Sequence, residues 1–171
     1  MWIYLLVALI GLLLFLVGLL GVLGSRLPAT HIASTTAAIN APRDRVFTVV
    51  SDPTTHATWA QGVDAVNVLP HRDGKPSFEW VMGRNRFVTV TTALQAPALC
   101  EWTIDDNAKF FSGSWKYELS DAPGGCTVKL TETGTIPSAI PRAIIRYIVG
   151  EDLYIKRNLT ALKKRMETPG A

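Results

Sequence analysis

Residues Gly113 to Ile136 read GSWKYELSDAPGGCTVKLTETGTI. Trp115, Tyr117 and Leu119 alternate with Ser114, Lys116 and Glu118, and beyond the turn residues DAPGG, Val128 and Leu130 alternate with Thr127, Lys129 and Thr131. A period of two with one apolar and one polar face is the pattern of a strand that is wet on one side and buried on the other. Two such runs joined by a Pro/Gly turn predict an antiparallel hairpin. The same alternation turns Glu132 inward with Val128 and Leu130.

Working upstream, the hairpin is preceded by four more strand-like runs: GVDAVNVL, SFEWVM, RFVTVTTAL and ALCEWTID, separated by HRDGKP and GRN, with an FFSG connection into the hairpin. Before them comes a helix in APRDRVFTVVSDP, with Pro42 in its first turn, apolar Val46, Phe47, Val49 and Val50, and a stop at Pro53. TTHATW is a short second helix or turn, and STTAAI (Ser34 to Ile39) is a first strand. Downstream, Ile144, Ile148, Ile155, Leu159, Leu162 and Met166 recur at helical spacing, which predicts one long helix from Ser138 to Met166 weakened at Gly150. The order is strand, two short helices, six strands, long helix: an α+β domain.

The amino terminus is of another kind. Residues 2 to 23, WIYLLVALIGLLLFLVGLLGVL, carry no charge. As a helix this run spans about 33 Å at ~1.5 Å per residue, enough for a ~30 Å hydrocarbon core. It lacks a basic start and is long for a signal peptide, although Gly24 and Ser25 would serve as small cleavage residues. The expectation is a transmembrane anchor (1–25), a linker (26–33), one folded domain (34–167) and a tail (168–171). Arg26, Arg43 and Arg45 follow the run and no Lys or Arg precedes it, which predicts a single-pass protein with a cytoplasmic C-terminal domain. Gly11, Gly18 and Ser25 form a seven-residue stripe of small residues without a GxxxG, so no oligomeric state is assigned.

The chain has 171 residues, 48% apolar and 18% charged, with a net charge of +3. That balance leaves no nucleic-acid footprint. Cys100 and Cys126 belong to no CxxC or Cys/His cluster and read as reduced, buried small hydrophobes. No metal site or cofactor motif is present: no phosphate-binding glycine loop, HExxH or GxSxG.

Three pieces of text, INAPRDRVFTVVSDPTTHATW (Ile39 to Trp59), Gly113 to Ile136, and the C-terminal amphipathic helix, resemble the START and birch-pollen-allergen (SRPBCC) superfamily, in particular its polyketide cyclase/dehydrase and lipid-transport-like branch. The resemblance covers about Ser34 to Met166. It implies a helix-grip fold, in which a curved seven-stranded antiparallel sheet wraps the long helix and encloses an apolar cavity.

In such a fold the inward rows would contact the ligand or fill the core. The rows are Trp115, Tyr117 and Leu119; Val128, Leu130 and Glu132; Cys100, Trp102 and Ile104; and Phe78, Trp80 and Met82. Trp59 is expected at the cavity mouth, with a lid near it and the Asp73 to Lys75 turn. Ligand contacts are therefore expected from Trp59, Phe78, Trp80, Trp102, Trp115, Tyr117, Leu130, Glu132, Ile144 and Ile148, and no catalytic residue is assigned. Glu132 must be paired, hydrated or protonated. A latch to Arg142 or Arg146, a ligand anchor and an acid/base role all remain open. His56 lies beside Trp59 and is read as structural rather than a proton shuttle, His31 falls in the linker, and His71 falls in a turn. Asp105 and Asp106 are adjacent and read as a strand end. Lys156, Arg157, Lys163, Lys164 and Arg165 make the end of the last helix basic, either a solvated face or a surface for anionic headgroups.

Three functions follow from these readings: binding or transport of a lipid, quinone or polyketide-like molecule by a membrane-anchored protein; a cyclase/dehydratase; or an accessory subunit of a membrane complex.

Overall fold

The computed structural model describes residues 1–105 and 111–168. Helix α1 (Trp2–Ser25) leads into β1 (Thr30–Ile39), followed by α2 (Arg43–Ser51) and a 3₁₀ helix (Pro53–Thr58). Six strands come next: β2 (Ala65–Arg72), β3 (Lys75–Met82), β4 (Asn85–Gln95), β5 (Leu99–Ile104), β6 (Ser112–Ala122) and β7 (Gly125–Thr135). The chain closes with α3 (Ala139–Ile144), a π-helical turn (Ile145–Val149) and α4 (Leu153–Glu167). The seven strands form one curved antiparallel sheet in the order β1-β7-β6-β5-β4-β3-β2. Strands β2 to β7 follow as a meander, and β1 returns to pair with β7. This is the helix-grip arrangement.

Period-two patterning decides which residues face the helices. Cys100, Trp102 and Ile104 of β5, Tyr117 and Leu119 of β6, and Val128 and Leu130 of β7 are buried. All of these but Ile104 pack with Ile39, Val46, Val50 and the inward stripe Ile155, Leu159, Leu162 and Met166 of α4. A second cluster gathers Trp80, Phe87 and Ile104 with Ala60 and Val63. Strand β4, both of whose faces look alike in sequence, turns Phe87 and Thr89 inward. Both cysteines are free and buried.

Three differences from the sequence expectation matter for the site. Strand β1 begins at Thr30, because β7 extends to Thr135 and needs a partner along its whole length. Residues expected in a linker thus belong to the sheet. The long helix is interrupted: Gly150 adopts φ 93, outside helical space, and donates back to the Ile145 carbonyl at 2.8 Å. The segment before the break runs along the sheet's end. Finally, α1 does not stand clear of the domain. Gly24 is its buried residue, set so closely against the Ala139 carbonyl that a Cβ there would collide with it.

Candidate functional site

The hollow of the sheet divides into a filled half and an open half. In the filled half, the His56 ring centre lies 4.5 Å from that of Trp59, 5.2 Å from Trp80 and 5.4 Å from Trp102. Trp102 packs edge-on against Tyr117 at 5.6 Å, and Trp80 stacks on Phe87 at 6.2 Å. The space left among these rings is about 10 Å³, no more than one water needs. Burial holds the His56 pKa down to about 4, so its imidazole is neutral near pH 7, with Nδ1 donating to the Asp52 carbonyl at 3.2 Å. His56 is a structural ring in an aromatic plug.

The open half lies at the sheet end formed by the start of β1 and the end of β7, under α3 and the beginning of α4. It is a cavity of about 640 Å³. Ile136, Pro141, Ile145, Val149 and Leu153 supply apolar wall, while His31, Glu132, Tyr154 and Asn158 supply a polar floor. A side lobe of about 230 Å³, lined by Met82, Phe87, Phe111 and Trp115, joins it at Glu132 and Tyr154.

Glu132 stands at the junction. Its Oε2 accepts from the Trp115 indole Nε1 at 3.1 Å, and its Oε1 lies 3.8 Å from His31 Nε2. Burial pushes its pKa up, opposed by the Trp115 hydrogen bond and by His31. His31 reaches it because the residue opposite in the β1–β7 register is Gly134, where a Cβ would strike the imidazole. On α4, Asn158 accepts from the Tyr117 hydroxyl at 2.7 Å. Tyr154 is raised to about 12 by burial and by the nearby Glu132 charge, so both phenols stay protonated. The floor thus offers a carboxylate, an imidazole, a phenol and an amide side by side.

Of the residues expected at a ligand, Glu132 lines the main cavity and Trp115 its side lobe. Trp80, Trp102 and Tyr117 form the aromatic plug, and Leu130 is fully buried in the core. Phe78 packs half-buried against the second cluster. The phase of the last helical segment differs from expectation, since its cavity residues are Ile145 and Val149. Ile144 is half-buried off the lining and Ile148 is exposed to solvent. The cause is the π-helical turn, whose extra residue per turn rotates the face that a regular helix would present.

Trp59 lines a separate basic groove of about 580 Å³ with Lys156, Arg157, Lys164 and Arg165. This groove shares Gln61 and Arg157 with the main cavity. The Asp73–Gly74 turn is no lid, because the register places it at the opposite end of the sheet from His31 and Thr135.

The expected arginine latch on Glu132 is absent. Arg142 instead donates to the Leu27 carbonyl at 2.6 Å and the Pro137 carbonyl at 2.9 Å, and Arg146 pairs with Glu151 at 2.5 Å. Asp105 pairs with Arg72, while Asp106 and Phe110, the first residue of the FFSG connection, lie outside the described residues. His31, Tyr154, Asn158, Ile145 and Val149 were not singled out from sequence. The length of the β7 alternation was the one signal that would have drawn His31 into the sheet.

Residues 30–167 match the family model described as polyketide cyclase / dehydrase and lipid transport. Among solved structures, a START superfamily protein from Mycobacterium smegmatis is 16% identical, with a TM-score of 0.67 over 80% of this chain and 97% of that one. The aromatase/cyclase Zhui from Streptomyces sp. R1128 is 14% identical, with a TM-score of 0.59 over 83% of this chain and 99% of that one. BexL, a di-domain aromatase/cyclase from the BE-7585A biosynthetic pathway, is 13% identical, with a TM-score of 0.67 over 85% of this chain and 53% of BexL. None of the curated proteins matches the sequence. The structural likenesses carry the fold, and the family match spans the whole domain from the first strand through the last helix: this chain belongs to the polyketide cyclase/dehydrase and lipid transport family.

Proposed function

We propose that the protein is anchored in a membrane by α1 and binds a hydrophobic small molecule, a lipid, quinone or polyketide-like compound, in the cavity beneath α3. The observation that carries this reading is the cavity itself: about 640 Å³, within the range of small-molecule sites, apolar in its walls and polar at one end. Burying apolar area in the walls would supply most of the affinity. Glu132, His31, Tyr154 and Asn158 would orient the ligand's polar end. Tethering suits such a ligand, which would partition into the same bilayer. The Arg26, Arg43 and Arg45 bias supports a cytoplasmic domain. Its test is protease protection in spheroplasts, where digestion from outside would reverse the orientation.

The binding test is native mass spectrometry, with lipid extraction, on the full-length protein purified gently from its own membranes. A discrete bound compound that disappears when Ile145→Trp fills the cavity is the expected result. A chain that stays empty after exposure to total lipid and quinone extracts would overturn the reading.

A second reading, cyclase or dehydratase chemistry, is favoured by one observation: His31 and Glu132 together supply the inward acid and base that the sequence alone did not offer. It is also supported by the aromatase/cyclase relatives. It predicts that the extracted compound is converted by the wild-type protein and returned unchanged by His31→Ala.

A further inference from the structure

Among the described residues outside α1, the large apolar side chains left exposed are Ile32, Val68, Leu94, Ile140, Tyr147, Ile148 and Val149. Val68 and Leu94 stand singly, which is ordinary for a protein surface. The others gather at one place. Ile140 to Val149 belong to one short stretch of chain, with Ile148 70% exposed, and Ile32 borders the same hollow as Ile145 and Arg146. A grouped apolar surface of this kind marks a contact surface.

That stretch is held at a defined place beside α1. Gly24 packs on the Ala139 backbone, and a Cβ at Gly21 would lie 3.9 Å from the Ile140 side chain. Arg142 ties the chain just after α1 to the start of α3 through the Leu27 and Pro137 carbonyls. The last large apolar residue of α1 is Leu23, so Gly21 lies about 3 Å inside that end at ~1.5 Å per residue. Ile140 therefore sits level with the last apolar turn of the anchor. The same stretch forms a rim of the cavity through Pro141, Ile145, Val149 and Gly150.

From this packing we infer that Ala139–Val149 is a second membrane-contact element, with Tyr147, Ile148 and Val149 seated in the boundary between headgroups and acyl chains, so that the cavity opens onto lipid. The occupant of the exposed apolar face is the bilayer. Continuity with α1 selects it, and the residue types agree, since tyrosine and flanking arginines favour the interface. The inference rests on the anchor reading of α1. A ligand would move between bilayer and cavity over the Ile145–Val149 rim without crossing water.

The test uses the full-length chain in phosphatidylcholine vesicles with an environment-sensitive fluorophore attached at Ile148→Cys, at Ile145→Cys on the rim, or at Ser120→Cys as reference. Ser120 is exposed on β6, ~26 Å along the strand from Ser112 at ~3.3 Å per residue. Cys100 and Cys126 are buried, and the parent chain sets their background. Phosphatidylcholine carrying a nitroxide high on its acyl chain should quench positions 148 and 145 and leave 120 at its level in unlabelled lipid. Vesicle flotation separates the outcomes. A chain that floats while 148 is quenched no more than 120 overturns the inference and leaves the anchor standing. Quenching at 148 without quenching at 145 overturns the opening of the cavity onto lipid. A chain that does not float overturns both the inference and the anchor.

Discussion

The His31 imidazole sits 3.8 Å from the Glu132 carboxylate, over a position in β7 that has no side chain. Two strands that are far apart in sequence thereby place an imidazole and a carboxylate at the floor of one cavity. Gly134→Ala should push the ring away and weaken ligand binding about as much as His31→Ala does. The double variant should then be little worse than either single one. Titration of the extracted ligand against the three variants checks this, and fully additive losses would show that the two positions act independently.

Glu132 has a raised pKa in the folded state, so that state holds its proton more tightly than the unfolded chain does. This contribution to stability is complete below the ordinary carboxylate pKa of 4.5 and is lost as pH rises through the folded value. Glu132→Gln should therefore raise Tm by a few degrees at pH 7 and leave it nearly unchanged below pH 4.5. Thermal melts of both chains across this range decide it. A Tm lowered at pH 7 would mean that the carboxylate is a structural latch after all.

His56 runs the other way. Its folded pKa of about 4 lies below the ordinary 6.5, so between these values the unfolded chain binds the extra proton and stability falls as the solution is acidified. The expected slope approaches ~1.4 kcal/mol per pH unit within that window. Denaturant unfolding at several pH values should show the slope in the wild type and a flatter curve in His56→Leu.

The aromatic plug and the cavity should separate in mutagenesis. Trp102→Ala is expected to cost about 3–5 kcal/mol of stability, as removal of a buried large ring does. Ile145→Trp points into open space and should leave the melting curve nearly unchanged while abolishing ligand binding. Ligand loss in Trp102→Ala at a temperature where that variant is still fully folded would bring the plug into the binding site.

Much of the fold was legible because its signals are local. The alternation in GSWKYELSDAPGGCTVKLTETGTI specifies β6, β7 and the inward direction of Glu132 from a few neighbouring residues. The uncharged run from Trp2 to Leu23 likewise predicts a long apolar helix without reference to anything else. His31 was not legible, since STTAAI reads as a strand by composition while THIA before it does not. Only the pairing demand of β7 carries β1 back to Thr30.

Sequence alone determined the family resemblance, the order of elements, the faces of most strands and the apolar character of the first helix, because periodicity and composition act over a few residues. Tertiary structure alone decided which inward residues fill space and which leave it open. Trp80, Trp102 and Tyr117 close one half of the hollow because Trp80 and Trp102 meet the His56 ring and Tyr117 backs Trp102 from the next strand, while α3 and the π-helical turn stand off the other half. A cavity is a difference between the volume the backbone encloses and the volume the side chains occupy. That difference is set by contacts between distant residues, which no local pattern records.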